Sequence, residues 1–259
     1  MSTLNEIGLV ELGVEGQLVQ ASNQTLLCTA RGADGQTSRY VYKPVSGERP
    51  LWDFPDRTLA KREVAAFHLA ELAGWHHVPH TWWLEDGPLG PGMLQSWVED
   101  ADHQPVVNIF SEQPPDTWIQ ILRAEDSHGQ PVTLAHLADV ALQRVVVFDA
   151  VLNNADRKAG HLLADANSRL WAIDHGVTFH AEPKLRTVLW GWIGEVIPGP
   201  LMDEVRTLSA RWGEHHTDFD ELLSTEEIDA VNERLQTLIT SQKFPEPSSQ
   251  WPAVPWPVF

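Results

Sequence analysis

Residues 149–163 read DAVLNNADRKAGHLL, and IDHG follows at 173–176. Asp156, Lys158 and His161 share one short polar loop. Residues 161–174, HLLADANSRLWAID, are two apolar runs about the turn-forming cluster DANS, the pattern of a β-hairpin. Closing that hairpin brings His161 and Asp174 to the same open end, where paired residues lie roughly 5 Å apart. An imidazole and a carboxylate at that spacing can share one divalent ion. Asp156 and Lys158 arrive at the same end from the preceding segment. A carboxylate beside a hydroxyl, an ammonium and a two-ligand metal position are the tools of phosphoryl transfer.

The elements that must position these groups are legible in outline. Residues 9–43 read as strands: two apolar runs flank the polar turn ASNQ (21–24), a second turn falls at ADGQ, and RYVYKP ends at Pro44. A Pro-rich loop spans 44–57. Thr58 is placed to cap a helix, LAKREVAAFHLAELA, that stops at Gly74. MLQSWV (93–98) reads as a further strand. After a polar stretch at 99–131, Leu134, Leu137, Ala141, Val145, Phe148 and Leu152 recur at helical spacing and predict one long buried helix from Thr133. Residues 201–212 and 218–242 read as amphipathic helices. TVLWGWIGEVIPGP reads as irregular, with the tryptophans of WGW either lining a substrate cleft or in the core, the core being favoured. The final FPEPSSQWPAVPWPVF is interrupted by proline and reads as an extended tail whose tryptophans pack back on the body. The expected class is α+β, with a β-rich lobe at 1–94 and a mainly helical lobe at 95–259.

Composition narrows the partners. The chain has 259 residues and a formal charge of −18, a surface that repels phosphate backbones and anionic headgroups. Nucleic acid and stable membrane association are therefore not expected. A single cysteine, Cys28, permits no intrachain disulfide. MSTLNEIGLVELG lacks the pattern of a signal peptide, and no apolar run reaches the length of a membrane span. A cytoplasmic location is the expectation. His76, His77, His80, His215 and His216 follow no zinc-site spacing; the first three are expected to pack with aromatic rings.

The order of the chemical groups resembles the protein-kinase-like active site: an Asp, a Lys two residues on, a metal-binding residue five on, and a hairpin ending in Asp-x-Gly. DRKAGH is similar to the Asp-Arg-His loop of the phosphatidylinositol 3-/4-kinases. The chain resembles the actinobacterial phosphatidylinositol-kinase-like proteins over most of residues 10–205, and HipA-type kinases more distantly. The resemblance implies a bilobal fold with ATP between the lobes. It makes Asp156 the catalytic carboxylate, Lys158 the group that meets charge on the transferred phosphoryl, and His161 with Asp174 the holders of Mg²⁺ or Mn²⁺. Lys43, braced by Glu63, would position the phosphates. Gln95, Trp97 and Val98 fall at the interlobe hinge that binds adenine, and Ser22 and Asn23 fall where a phosphate-covering loop belongs. Glycine-rich G-x-G-x-x-G spacing is missing there, and histidine stands at 161 where the family has asparagine.

The family label implies a lipid headgroup as acceptor, whereas the net charge favours a hydroxyl on a soluble small molecule or a protein. Two alternatives keep the fold: a nucleotide-binding scaffold without turnover, and a transferase of AMP. Each group alone has a plainer role, Lys43 as a solvated strand end and Glu63 as a surface helix residue. Their joint order is what favours chemistry.

Overall fold

The computed structural model describes residues 2–18, 23–55, 57–101 and 105–259, and its class is α+β. Five antiparallel strands, β1 (Leu9–Gln17), β2 (Leu26–Gly32), β3 (Thr37–Pro44), β4 (Thr81–Leu84) and β5 (Gly92–Ser96), form a sheet in the order β1-β2-β3-β5-β4. Alternation selects its two faces. Leu26, Cys28 and Ala30 of β2 pack with Tyr40 and Tyr42 of β3 on one side. Trp83 and Met93 face the other side, against Ala60 and Val64 of helix α1 (Leu59–Ala73).

α1 ends where expected, with Gly74 in the left-handed conformation that favours glycine. Its start differs. The Thr58 side chain makes no cap hydrogen bond, and Glu48, from the preceding loop, accepts from the backbone N–H of Leu59 at 3.1 Å and of Ala60 at 2.9 Å. A carboxylate there also complements the positive end of the helix. Residues Ala65, Ala66, Phe67, Leu69 and Ala70 turn away from the sheet into the main core, so α1 is buried on both sides.

The long helix expected from Thr133 is two elements. Pro131–Leu137 is strand β8, central in a second antiparallel sheet of order β6-β8-β7, with β6 at Val107–Phe110 and β7 at Trp118–Glu125. The polar stretch expected at 99–131 thus contains two strands. Helix α2 covers only Val140–Leu152. Asp139 is extended, and its side chain accepts from Ala141 N–H at 2.7 Å, so the N-cap sets the start that apolar spacing alone misplaced. Leu134 and Leu137 mimic helical period across the junction because β8 also contributes to the core.

α2 is the axis of that core. Val145, Val147, Phe148, Val151 and Leu152 are fully buried, each stabilising the fold by about 1.5–3 kcal/mol. Around it stand the hairpin β9 (Leu162–Ala164) and β10 (Leu170–Ala172), helix α3 (Gly199–His215) and helix α4 (Thr225–Ser241). Ser224 and Glu227 form a reciprocal capping box at α4, which places its start beyond the expected 218. Trp190 and Trp192 are in the core, as expected of WGW. Among the described residues no helix is long and apolar enough to cross a membrane.

Candidate active site

The loop after α2 is held from beneath. Asn153 takes the left-handed conformation at the helix end, and its side chain donates to His180 O and Glu182 O and accepts from Lys184 N–H, all within 2.7 Å. Asn154 donates to Asp149 at 2.9 Å and accepts from the N–H of Asp156 at 3.0 Å. Arg157 donates to both oxygens of Asp149, at 2.9 and 3.0 Å, and to Ile173 O at 2.8 Å. Neither Arg157 nor Asp149 is exposed. This buried pair ties the loop to α2 and to the strand that ends the hairpin. Sequence reasoning passed over both residues, although an aspartate inside the apolar run VVVFDAVL was a signal that a partner had to exist.

The hairpin has the expected form, with Leu162 opposite Ala172 and Ile173 N–H donating to His161 O. It places His161 Nε2 3.3 Å from Asp174 Oδ2. The other oxygen of Asp174 accepts from Lys43 Nζ at 2.8 Å, and the same ammonium donates to Glu63 Oε1 at 2.6 Å. Lys43 comes from β3, Glu63 from α1, and His161 and Asp174 from the two ends of the hairpin. The four side chains therefore form one contact chain across the two regions. Gly92 belongs to the same arrangement: a Cβ there would collide with the carbonyl oxygen of Lys43. Asp156 and Lys158 pair with each other at 3.0 Å, both partly exposed.

Electrostatics follow from burial and from these contacts. Burial pushes the Asp156 carboxyl above its ordinary value, with Lys158 opposing. Burial works against the charge on Lys43, but Asp174 and Glu63 overcome it and hold the ammonium well above the ordinary lysine range. Burial pushes the Glu63 carboxyl up, against the pull of Lys43. Burial would also raise Asp174, but Lys43 and His161 outweigh it and hold this carboxyl well below the usual range. Burial lowers His161 to about 4 despite Asp174, so its imidazole is neutral near pH 7.

A neutral imidazole and an ionised carboxylate fit a divalent ion. Their 3.3 Å separation is close to the span of about 3 Å between neighbouring donors bonded to one small ion. Among the described residues no group of three or more His, Cys, Asp or Glu could hold a metal. His161 and Asp174 would thus be two ligands of a set completed by phosphate oxygens and water.

Among the described residues, the remaining expected positions do not join the contact chain. Asn23 Oδ1 accepts from Arg49 N–H at 2.8 Å, a contact with the loop after β3. Ser22 lies outside the described residues. The Gln95 side chain is buried and donates to Thr81 Oγ1 at 2.8 Å. Trp97 N–H donates to Arg39 O at 3.1 Å, and Arg39 lies over its ring. Val98 follows the last residue of β5 by two positions and, among the described residues, makes no hydrogen bond.

The C-terminal segment lies along the loop. Ala253 O accepts from Thr187 N–H at 3.1 Å and from Trp190 Nε1 at 2.7 Å, and Val258 O accepts from Ala159 N–H at 2.8 Å. Trp251 stacks on Trp52, and Lys184 lies over the Trp251 ring while pairing with Asp53 at 3.0 Å. Trp251 thus packs back as expected, whereas Trp256 is 84% exposed.

Among known proteins, the chain is 42% identical over 260 residues to Protein Rv2133c of Mycobacterium tuberculosis, across 96% of this chain and 92% of that protein. It belongs to the same family as that protein. No protein-family model matches the chain.

Proposed function

We propose that this protein is an ATP-dependent phosphotransferase with a two-lobed, kinase-like plan, acting on a hydroxyl of a soluble small molecule or a protein. The observation that carries the proposal is the contact chain Glu63–Lys43–Asp174–His161, in which four residues far apart in sequence meet within 3.3 Å. Lys43 would hold ATP phosphates, and Glu63 fixes the lysine. His161 and Asp174 would hold Mg²⁺ or Mn²⁺, which supplies charge neutralisation at the phosphates when bound. Asp156, with its carboxyl raised by burial, would accept the proton of the acceptor hydroxyl as that oxygen bonds to the γ-phosphorus and the bond to the β-phosphate oxygen breaks, releasing ADP. Lys158, 3.0 Å from Asp156, would meet the charge on the transferred group.

A nucleotide-binding scaffold without turnover is the second reading. It is favoured by the engagement of both Asp174 oxygens within the protein, one by Lys43 and one by His161. Thermal denaturation with millimolar ATP and Mg²⁺ or Mn²⁺ tests binding. Single-turnover transfer from ATP labelled at the γ- or the α-phosphate then separates kinase, AMP transferase and scaffold. No thermal shift with either ion, and no heat of binding by calorimetry, would remove all three.

A further inference from the structure

His175, the middle residue of Asp-His-Gly, is fully buried, and its contacts run in two directions. Its backbone N–H donates to Glu63 Oε2 at 2.8 Å. Its Nε2 lies 2.7 Å from Arg157 Nη2. A guanidinium only donates, so Nε2 accepts, and a neutral ring then carries its proton on Nδ1. That Nδ1 is buried, has no hydrogen-bond partner among the described residues, and lies 4.0 Å from Glu63 Oε2. The carboxylate that braces Lys43 faces this proton. Arg157 is itself locked to Asp149 of α2.

We infer that His175 is a positioning residue that couples the Lys43–Glu63 pair to the loop carrying Asp156, through Nε2 to Arg157 and through its backbone N–H to Glu63 Oε2, with the ring Nδ1–H facing the same carboxylate oxygen at 4.0 Å. Because the Arg157 guanidinium donates to Nε2, that nitrogen carries no proton, and the ring presents one acceptor and one donor. Packing alone does not require those nitrogens. The ring meets Phe148 edge-on at 5.7 Å, a contact that phenylalanine can also make. A chain of hydrogen bonds from Lys43 through Glu63, His175 and Arg157 to Asp149 gives the two regions a fixed mutual register, which transfer between a phosphate held by one and an acceptor held by the other requires.

The coupling rests on the proposed phosphotransferase for its purpose but has a test of its own. In protein with ring-¹⁵N histidine, His175→Phe identifies the His175 signals among the twelve histidines. Those signals must show a neutral ring protonated at Nδ1, and Glu63→Gln must move them. A ring protonated at Nε2, or signals indifferent to Glu63→Gln, overturns the coupling. In the transfer assay, His175→Phe is expected to lower turnover about tenfold or more while MgATP affinity changes less than about threefold. His175→Gln, which keeps a donor and an acceptor, is expected to recover part of the loss. Wild-type turnover in His175→Phe also overturns the coupling. If the wild type neither binds ATP nor transfers phosphate, the phosphotransferase assignment falls, and the ring signals still decide the coupling.

Discussion

Asp149, in the last turn of α2, holds Arg157 through both carboxylate oxygens, and neither side chain reaches solvent. Removing one member of a buried, hydrogen-bonded ion pair leaves the other charge without compensation and costs about 3–5 kcal/mol. Asp149→Asn and Arg157→Leu are each expected to lower the unfolding free energy by that amount, read as a lower urea midpoint at unchanged slope. The double substitution is expected to cost less than the sum, because the orphaned charge is gone. Additive losses in the urea denaturation series would show that the pair is not the organising contact of the loop.

On the proposed function, Lys43 serves binding and Asp156 serves chemistry. Lys43→Met is expected to remove most of the thermal shift given by ATP with a divalent ion, because the phosphates lose their cation. Asp156→Asn is expected to keep that shift and to slow transfer at least about a hundredfold, the usual contribution of a positioned general base. Differential scanning fluorimetry and single-turnover transfer on the two variants read these outcomes. Unimpaired turnover in Asp156→Asn would remove this carboxylate from the chemistry.

His161 sets an expected metal preference. Imidazole nitrogen is a softer donor than the amide oxygen of asparagine and suits Mn²⁺ better than Mg²⁺. The ATP-dependent thermal shift of the wild type is expected to be larger with Mn²⁺, and His161→Asn is expected to move the preference toward Mg²⁺. Identical metal profiles in the two proteins would take His161 out of the metal shell.

Acid sensitivity is expected from His77. This ring is buried against Phe148 at 4.6 Å, and burial lowers its pKa to about 3, with nearby arginines acting in the same direction. The unfolded chain protonates the histidine as pH falls through about 6.5, whereas the folded protein does not until about 3. The unfolded state therefore binds more protons in that window, and stability is lost as pH falls across it. At pH 5 the loss attributable to this residue is about 2 kcal/mol relative to pH 8. His77→Phe retains the ring contact and is expected to remove that part of the pH dependence. Urea denaturation at the two pH values measures it.

The hairpin and its two polar ends were legible because two apolar runs about a turn-forming cluster fix which residues come together, and His161 and Asp174 do meet. α1 was legible for the same local reasons, with Gly74 marking its end. What escaped the sequence is whatever depends on a distant partner. Glu48 caps α1 from eleven residues before Leu59, while Thr58, the local candidate, does not. The strand β8 was hidden because Leu134 and Leu137 continue by chance the period of α2, and only the sheet neighbours β6 and β7 decide otherwise. His175 was passed over, since nothing in Asp-His-Gly itself shows that a glutamate from α1 and an arginine from the preceding loop close around it.

The C-terminal segment that runs past Thr187 and Ala159 has a practical bearing on how the protein is handled. Phe259 comes to rest beside Gly160, one residue from His161. A fusion partner or affinity handle joined after Phe259 would leave the surface next to the loop carrying Asp156, where its bulk competes with any acceptor. Ser2, in contrast, pairs with the edge strand β4. A purification handle at that end begins at the sheet edge rather than beside Gly160.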